Sequence, residues 1–346
     1  MSRSSFKDLL AGRDWLLADG ATGTNLFAMG LESGEPPEFW TTEKPDNIRA
    51  LHKGFVDAGS DIILTNTFGC NRHRLKLHKA QGRTAELNEK AARLAGDIAQ
   101  KADRPVIVAG SVGPTGEIFE PAGTMTMEEG KEAFREQIAA LAEGGVDVIW
   151  IETMSAEEEV RAAVAAARAV APDLPVVATM SFDTAGRTMM GVTPARLTAL
   201  AGELNLDAHG SNCGTGAPDL LAAILEMTEA GPQDLVIAKA NAGVPEFVDG
   251  EIHYSGTVEL AGTYARLALD AGARIVGGCC GNSFDHVRAM RKALDGYEKG
   301  PRPTIADIIA KVGPLTQNAA GHACAHGHHG EDGGGGAGRR RRRRRR

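Results

Sequence analysis

A short apolar segment that recurs eight times is the feature that most constrains the fold of this chain. Each copy is followed by a Gly-containing turn and by a longer, Ala- and Glu-rich stretch with helical spacing. This alternation predicts parallel strands joined by right-handed helical crossovers. Eight repeats favour an α/β fold closed into a (β/α)8 TIM barrel, with an open doubly wound sheet as the alternative. The predicted strands are residues 16–21, 61–68, 105–113, 147–153, 175–182, 208–213, 235–243 and 274–280.

One barrel of this kind accounts for most of the 346 residues. We expect the barrel to span residues 1–300 and one peripheral helix to span 301–317. Residues 318–346 are rich in His, Gly and Arg and offer little apolar surface to bury. This tail is therefore predicted to be disordered.

The net charge of −7 conceals an uneven distribution, because eight of the 38 basic residues form the terminal run Arg339–Arg346. Without that run, 30 basic residues stand against 45 acidic ones. A barrel this acidic is a poor candidate for binding nucleic acid or an anionic membrane, whereas the arginine tail can attract nucleic acid.

The start of the chain is polar, and no apolar run reaches the length of about 18 residues that a membrane span needs. We therefore expect a cytoplasmic protein. Five cysteines, two of them adjacent, do not form a disulfide framework. In a reducing compartment, grouped cysteines indicate metal binding or catalysis.

Small and polar residues follow every predicted strand. In a (β/α)8 barrel the carboxyl ends of all strands meet on one rim, where active sites of this architecture lie. Residues far apart in sequence are therefore predicted to share one pocket. The eight segments are DGATGTN, TNTFGCN, GSVGPTGE, IETMS, SFDTAGRT, SNCGTG, NAGVPE and GGCCGN.

Three of these rim residues are cysteines: Cys213 ends the sixth strand, and Cys279 and Cys280 end the eighth. Three thiolates bind zinc and leave a fourth tetrahedral position open for a substrate thiol, which loses its proton on coordination. Adjacent cysteines can share one ion only if the strand is turning, as the flanking glycines permit. Packed core thiols and a vicinal disulfide are the alternatives.

The motifs DGATGT, TNTF, GSVGP, IET, SNCG, NAG and GGCCG occur in this order across residues 16–294. In these motifs and their order the chain resembles the homocysteine S-methyltransferases. This family includes betaine-homocysteine methyltransferase, S-methylmethionine-dependent enzymes and the homocysteine-binding barrel of cobalamin-dependent methionine synthase. The resemblance implies an enzyme that transfers a methyl group to the thiol of homocysteine and gives methionine. It also implies Zn²⁺ as the cofactor, with Cys213, Cys279 and Cys280 as its ligands.

The resemblance places homocysteine at the first and fourth strand ends. Backbone N–H groups of DGATGT would approach the substrate carboxylate, and a carboxylate would pair with the substrate ammonium group. The implied residues are Asp19, Gly20, Ala21, Thr22 and Glu152. For Asp19 a turn-stabilising role is the alternative, and for Glu152 an outward ion pair.

Asn241, in NAGVP, matches a family position that lies near the metal when substrate is absent. A plain turn residue before Gly243 is the alternative for Asn241.

Aromatic residues near the rim are the candidates for the methyl-donor site, because a quaternary ammonium group binds aromatic faces. Trp40 aligns with a tryptophan of the betaine enzyme's donor site, although it can equally be a surface residue of its loop. However, Thr153 stands where that enzyme has a tyrosine. We expect betaine or a related onium donor. The alternatives are a homocysteine-activating module of a split cobalamin-dependent methionine synthase, served by a separate corrinoid protein, and a non-catalytic zinc-binding barrel.

Overall fold

The computed structural model describes residues 5–183, 185–231, 234–248 and 251–316. Eight of its strands form one parallel sheet that wraps around an apolar interior, and two more form an antiparallel hairpin. In chain order the strands are β1 Leu16–Leu17, β2 Ile62–Leu64, β3 Ile107–Val112, β4 Val148–Met154, β5 Val176–Met180, β6 Ala208–Cys213, β7 Val236–Ala240, β8 Pro245–Val248, β9 Glu251–Tyr254 and β10 Ile275–Gly278.

The parallel sheet has the order β1-β10-β7-β6-β5-β4-β3-β2, so neighbours in sequence are neighbours in space apart from the inserted hairpin. Its two outer strands meet through a parallel bridge between Ala18 and Ile62, which closes the barrel. Asp61 reinforces this junction, because its backbone N–H donates to the Leu17 carbonyl and its carboxylate accepts the Leu17 N–H. The predicted (β/α)8 barrel is confirmed, and the open sheet is wrong.

The helices surround this sheet and bury their apolar faces against it. For example, α7 begins with a capping box between Thr126 and Glu129 and buries Phe134, Ile138 and Leu141 at helical spacing. The α-helices are α1 Phe6–Gly12, α2 Thr22–Ala28, α3 Trp40–Glu43, α4 Pro45–Ala58, α5 Arg72–Lys76, α6 Thr84–Lys101, α7 Met127–Glu143, α8 Glu157–Val170, α9 Pro194–Glu203, α10 Ala217–Ala230, α11 Val258–Ala271, α12 Phe284–Leu294 and α13 Ile305–Val312.

Two features of the fold were not predicted. Helix α1 places Phe6, Leu9 and Leu10 against the apolar residues at the amino ends of the strands, which fills that mouth of the barrel. The hairpin of β8 and β9 stands in the loop after β7, on the side of the predicted pocket.

The predicted domain limits are not tested and stay predictions. Helix α13 lies within the predicted peripheral segment and packs against α10 and α11. The tail from residue 318 onward lies outside the described residues. Within the described part of the chain, no helix combines the length and apolar character that crossing a bilayer requires.

Candidate active site

The structure brings the three rim cysteines together. The Sγ atoms of Cys213 and Cys279 lie 3.3 Å apart, and those of Cys213 and Cys280 lie 3.7 Å apart. All three sulfurs lie within 4.8 Å of one another, and all three thiols are free and partly accessible. A vicinal disulfide is therefore absent from this arrangement, and full burial of the three thiols in the core is wrong.

Backbone turns at the ends of β6 and β10 produce this convergence. Cys213 has a left-handed φ of 62°, which a non-glycine residue rarely adopts, so its side chain leaves the strand direction. On the other strand, the N–H of Cys279 still donates to the Ala240 carbonyl, as in a sheet ladder. Gly281 then turns the chain with a φ of 80°, and the adjacent thiols of Cys279 and Cys280 both lie within 4.8 Å of the Cys213 thiol.

The sulfur separations fit a tetrahedral zinc site. Zinc–sulfur bonds of about 2.3 Å in tetrahedral geometry require sulfur–sulfur distances of about 3.8 Å. The observed 3.3 and 3.7 Å therefore need only small adjustments. Hydrogen bonds from Cys213 and Cys279 lower the pKa of Cys280, which favours its thiolate form. Zinc ligation by these residues stays a prediction.

Asn212 connects the cysteine cluster to the fourth strand. It is fully buried, and its Nδ2 donates to Thr153 Oγ1 over 2.7 Å and lies 3.8 Å from Cys279 Sγ. Its Oδ1 accepts the backbone N–H of Thr153 and the hydroxyl of Thr179. Thr153 has a φ of 62°, a strained conformation for a β-branched residue that these hydrogen bonds hold in place.

Tyr254, at the end of β9, covers the cluster from the hairpin side. Burial and the nearby thiol of Cys280 raise the pKa of the Tyr254 hydroxyl. The ring lies directly over Gly281, where an added Cβ would stand 2.4 Å from Cγ of the tyrosine. Glycine is therefore required at residue 281 both for its φ and for this close approach.

Asp19 and Glu152, the two predicted carboxylates, lie below the cluster around a buried lysine that the sequence analysis missed. Asp19 Oδ1 accepts a hydrogen bond of 2.7 Å from Lys239 Nζ, and Asp19 Oδ2 accepts one of 2.7 Å from the Leu64 N–H. Glu152 Oε1 accepts the hydroxyl of Ser111. Burial raises the pKa of Glu152 to about 7, although Lys239 opposes this shift. An outward ion pair for Glu152 is therefore wrong.

The DGATGT turn packs tightly against the segment after β10. An added Cβ at Gly20 would lie 2.5 Å from the carbonyl oxygen of Asn282, and the N–H of Ala21 donates to that same oxygen. Thr22 begins α2. The Ala21 N–H is thus already occupied, and the predicted contacts of Gly20, Ala21 and Thr22 with a substrate carboxylate stay predictions.

Asn241 lies beside the cysteine cluster, because its Nδ2 donates to the carbonyl of Gly214, the residue after Cys213. Its Oδ1 is buried and has no hydrogen-bond partner among the described residues. A buried acceptor without a partner is costly, and a nearby cation or substrate donor would satisfy it. The position fits the predicted role of Asn241 near the metal, which stays a prediction.

Trp40 lies in α3 and is fully buried, so the alternative of a surface residue is wrong. The ammonium group of Lys44 stands 4.0 Å from the centroid of its ring, so one aromatic face already carries a cation. The predicted contact of Trp40 with a donor stays a prediction that this arrangement does not support.

Four residues around the pocket were missed: Ser111, Asn212, Lys239 and Tyr254. A signal was available for one of them, since Lys239 is a single charge within an apolar strand. Such a charge is buried only when it is paired. Ser111 and Asn212 resemble ordinary turn residues in sequence, and the position of Tyr254 depends on the unpredicted hairpin.

Known proteins resemble this chain in sequence and in fold. The chain is 28% identical over 327 residues to a methionine synthase of Mycobacterium tuberculosis, covering 88% of this chain and 27% of that protein. It is 27% identical over 304 residues to a methionine synthase of Mycobacterium leprae, covering 83% and 25% respectively. The chain thus spans about a quarter of the length of these curated relatives.

Among solved structures, the metallated form of the homocysteine methyltransferase MmuM from Escherichia coli superposes with a TM-score of 0.70 at 22% identity, covering 82% of this chain and 98% of that one. At this identity the likeness supports the fold alone. Residues 16–294 match the family model of homocysteine S-methyltransferase. Since that match includes most of the sequence and all three rim cysteines, the chain belongs to the homocysteine S-methyltransferase family.

Proposed function

We propose that this protein transfers a methyl group to the thiol of homocysteine, giving methionine, with Zn²⁺ held by Cys213, Cys279 and Cys280. The observation that carries the proposal is the convergence of these three sulfurs, from two distant segments, on one accessible point of the rim. Zn²⁺ held by these cysteines would lower the pKa of a coordinated thiol, so that homocysteine would lose its thiol proton and react as the thiolate.

The protein's own residues orient the substrate. Glu152 lies near enough to Cys279 to feel its charge, and it is the acceptor for the substrate ammonium group. Ser111 fixes the orientation of that carboxylate through its hydroxyl. Asn212 holds Thr153, the residue after Glu152, and approaches Cys279, so it aligns the ammonium site with the metal site.

For the donor, the observations favour a methyl-carrying protein over betaine or a related onium compound. Five large apolar side chains are exposed on loops after β2, β3, β5 and β7, on the rim that carries the cysteines: Phe68, Ile118, Met189, Met190 and Val244. Exposed apolar side chains on this rim are available to contact another protein. Because the similar curated proteins are methionine synthases about four times longer, we propose a corrinoid protein as this partner.

The two donor hypotheses are separated by one assay. Purified zinc-loaded protein is incubated with homocysteine and either betaine, S-methylmethionine or methylcobalamin, free and protein-bound, and methionine is measured. Product with methylcobalamin alone supports the corrinoid partner, whereas turnover with betaine contradicts it.

The same assay tests the metal dependence. Removal of zinc should abolish product formation with every donor. No product under any condition, from folded zinc-loaded protein, would favour a non-catalytic barrel.

A further inference from the structure

An open cavity of about 1020 Å³ lies at the amino ends of the strands, at the opposite end of the barrel from the cysteines. Its walls come from the segment between α1 and β1, from residues just before β2, β3 and β10, and from the end of α12. A cavity of this size can hold a small molecule. Four arginines line it: Arg13, Arg104, Arg274 and Arg291.

The positive charge around this cavity exceeds the negative charge that is shielded from solvent. Three of the arginines approach the same oxygen, Oδ1 of the fully buried Asp61, at 2.6, 3.6 and 2.8 Å for Arg13, Arg104 and Arg291. The other carboxylates near these arginines are exposed to solvent, which screens their charge: Asp14, Asp103 and Asp295. One buried carboxylate thus faces three guanidinium groups.

Backbone carbonyl groups hold three of the guanidinium groups in fixed orientations. Arg104 and Arg291 donate to carbonyls at the end of α4, and Arg274 donates to three carbonyls in the segment between Leu10 and Asp14. Such bonds are usual for basic side chains at a helix C-terminus, and they leave the charge of the arginine in place. A ligand would therefore meet groups that are already ordered, which lowers the entropic cost of binding.

Arg13 is the least committed of the four arginines. Its Nη1 donates to Asp61, whereas its Nε and Nη2 have no acceptor among the described residues. The side chain is 35% exposed. Nε and Nη2 form one edge of the guanidinium group, and such an edge binds two oxygens of a carboxylate or a phosphate at once.

We infer that this cavity is a binding site for a phosphate group, carried either by the free phosphate ion or by a small phosphorylated molecule. Arginines from four separate segments suit a tetrahedral oxyanion, whose oxygens point in several directions, better than a planar carboxylate. A dianion also balances the three guanidinium groups that Asp61 alone does not neutralise. The site lies far from the cysteines along the barrel axis, so the inference is independent of the proposed function.

The test measures binding by calorimetry on the full chain, in a buffer that contains no phosphate or sulfate. Chloride at about 0.15 M screens the solvent-exposed terminal arginine run. The probes are inorganic phosphate, AMP and adenosine, which lacks the phosphate group. Wild-type protein should bind phosphate or AMP saturably at one site and should not bind adenosine there. Tighter binding of AMP than of phosphate assigns the phosphorylated molecule, and AMP binding no tighter than phosphate assigns the free ion.

Three variants test the role of Arg13. Arg13→Gln should weaken binding at least about tenfold, as expected for loss of hydrogen bonds to a charged group. Arg13→Lys keeps the positive charge beside Asp61 but removes the paired N–H edge, and should weaken binding at least about threefold. Arg161→Gln is the matched control, because Arg161 is also 35% exposed and lies on α8, outside the cavity lining. Its affinity should stay within about twofold of wild type.

Thermal unfolding establishes that each variant is folded. The absence of saturable binding of both phosphate and AMP by wild-type protein overturns the inference, as do equal affinities in Arg13→Gln and Arg161→Gln. If Arg13→Gln does not fold, Arg13→Lys decides in its place, and wild-type affinity in that variant overturns the inference.

Discussion

Replacement of Cys213 by alanine removes one of three sulfurs that are already arranged for metal binding. Because the sulfurs lie 3.3 and 3.7 Å apart, against about 3.8 Å in a tetrahedral site, little reorganisation offsets the binding energy. A four-ligand zinc site gains about 10–16 kcal/mol at pH 7, or about 3 kcal/mol for each ligand. Cys213→Ala should therefore weaken zinc binding about 100-fold, at about 1.4 kcal/mol for each factor of ten.

The affinity is measured by competition with a chromophoric chelator at fixed pH. Cys70→Ala provides the matched control, because Cys70 is buried in a separate cluster with Leu75, Ala80 and Leu87. Its loss should lower the thermal stability and leave zinc affinity within about twofold of wild type. Wild-type affinity in Cys213→Ala, or an equal loss in the two variants, would refute the assignment of the metal centre.

Three further substitutions test buried or tightly packed residues other than the cysteines. Burial lowers the pKa of His52 to about 4 from 6.5, so the free energy of unfolding should fall by up to about 3 kcal/mol between pH 6.5 and 4. Urea titrations of His52→Leu should lack this loss, and an identical pH profile would contradict it. Gly281→Ala should weaken zinc binding at least about tenfold by displacing Tyr254, whereas unchanged affinity would show that the ring can move freely. Asp61→Asn should cost about 3 kcal/mol by chemical denaturation, since Asp61 is fully buried between Arg13 and Arg291; a loss below about 1 kcal/mol would indicate that the ion pairs contribute little.

The barrel was predictable because hydrophobic periodicity is local: seven of the eight strands lie within their predicted segments, and β4 extends one residue beyond its own, to Met154. Strand length was less predictable. β1 was expected over six residues and forms a ladder over two, because the conformation of 18–21 follows contacts with Asn282 and Leu64 that sequence does not reveal. The hairpin was missed although its alternating residues flank an Asp-Gly pair, a common hairpin signal.

In the pocket, cysteine spacing predicted the convergence of the three sulfurs, because strand ends in a closed barrel share a rim. The environment of each remaining residue depended on packing. Trp40 is aromatic and near the rim in sequence, yet α3 turns it inward. Asp19 is a polar residue at a strand end, yet its carboxylate pairs with Lys239 from a strand distant in sequence. The type of a residue indicates which chemistry it can perform. Its contacts in the folded chain determine whether its polar groups remain available to a substrate.

The short length of β1 affects where the barrel is expected to open. This strand is laddered to β10 through two residue pairs and to β2 through one bridge, whereas β6 and β7 share five pairs. Side chains of Asp19 and Asp61 replace the missing backbone rungs. Transient opening of the barrel should therefore begin at β1, and amide hydrogen exchange at Leu17 should be faster than at Gly210. The strand that is expected to open most easily is also the one whose carboxyl end leads into the proposed substrate pocket.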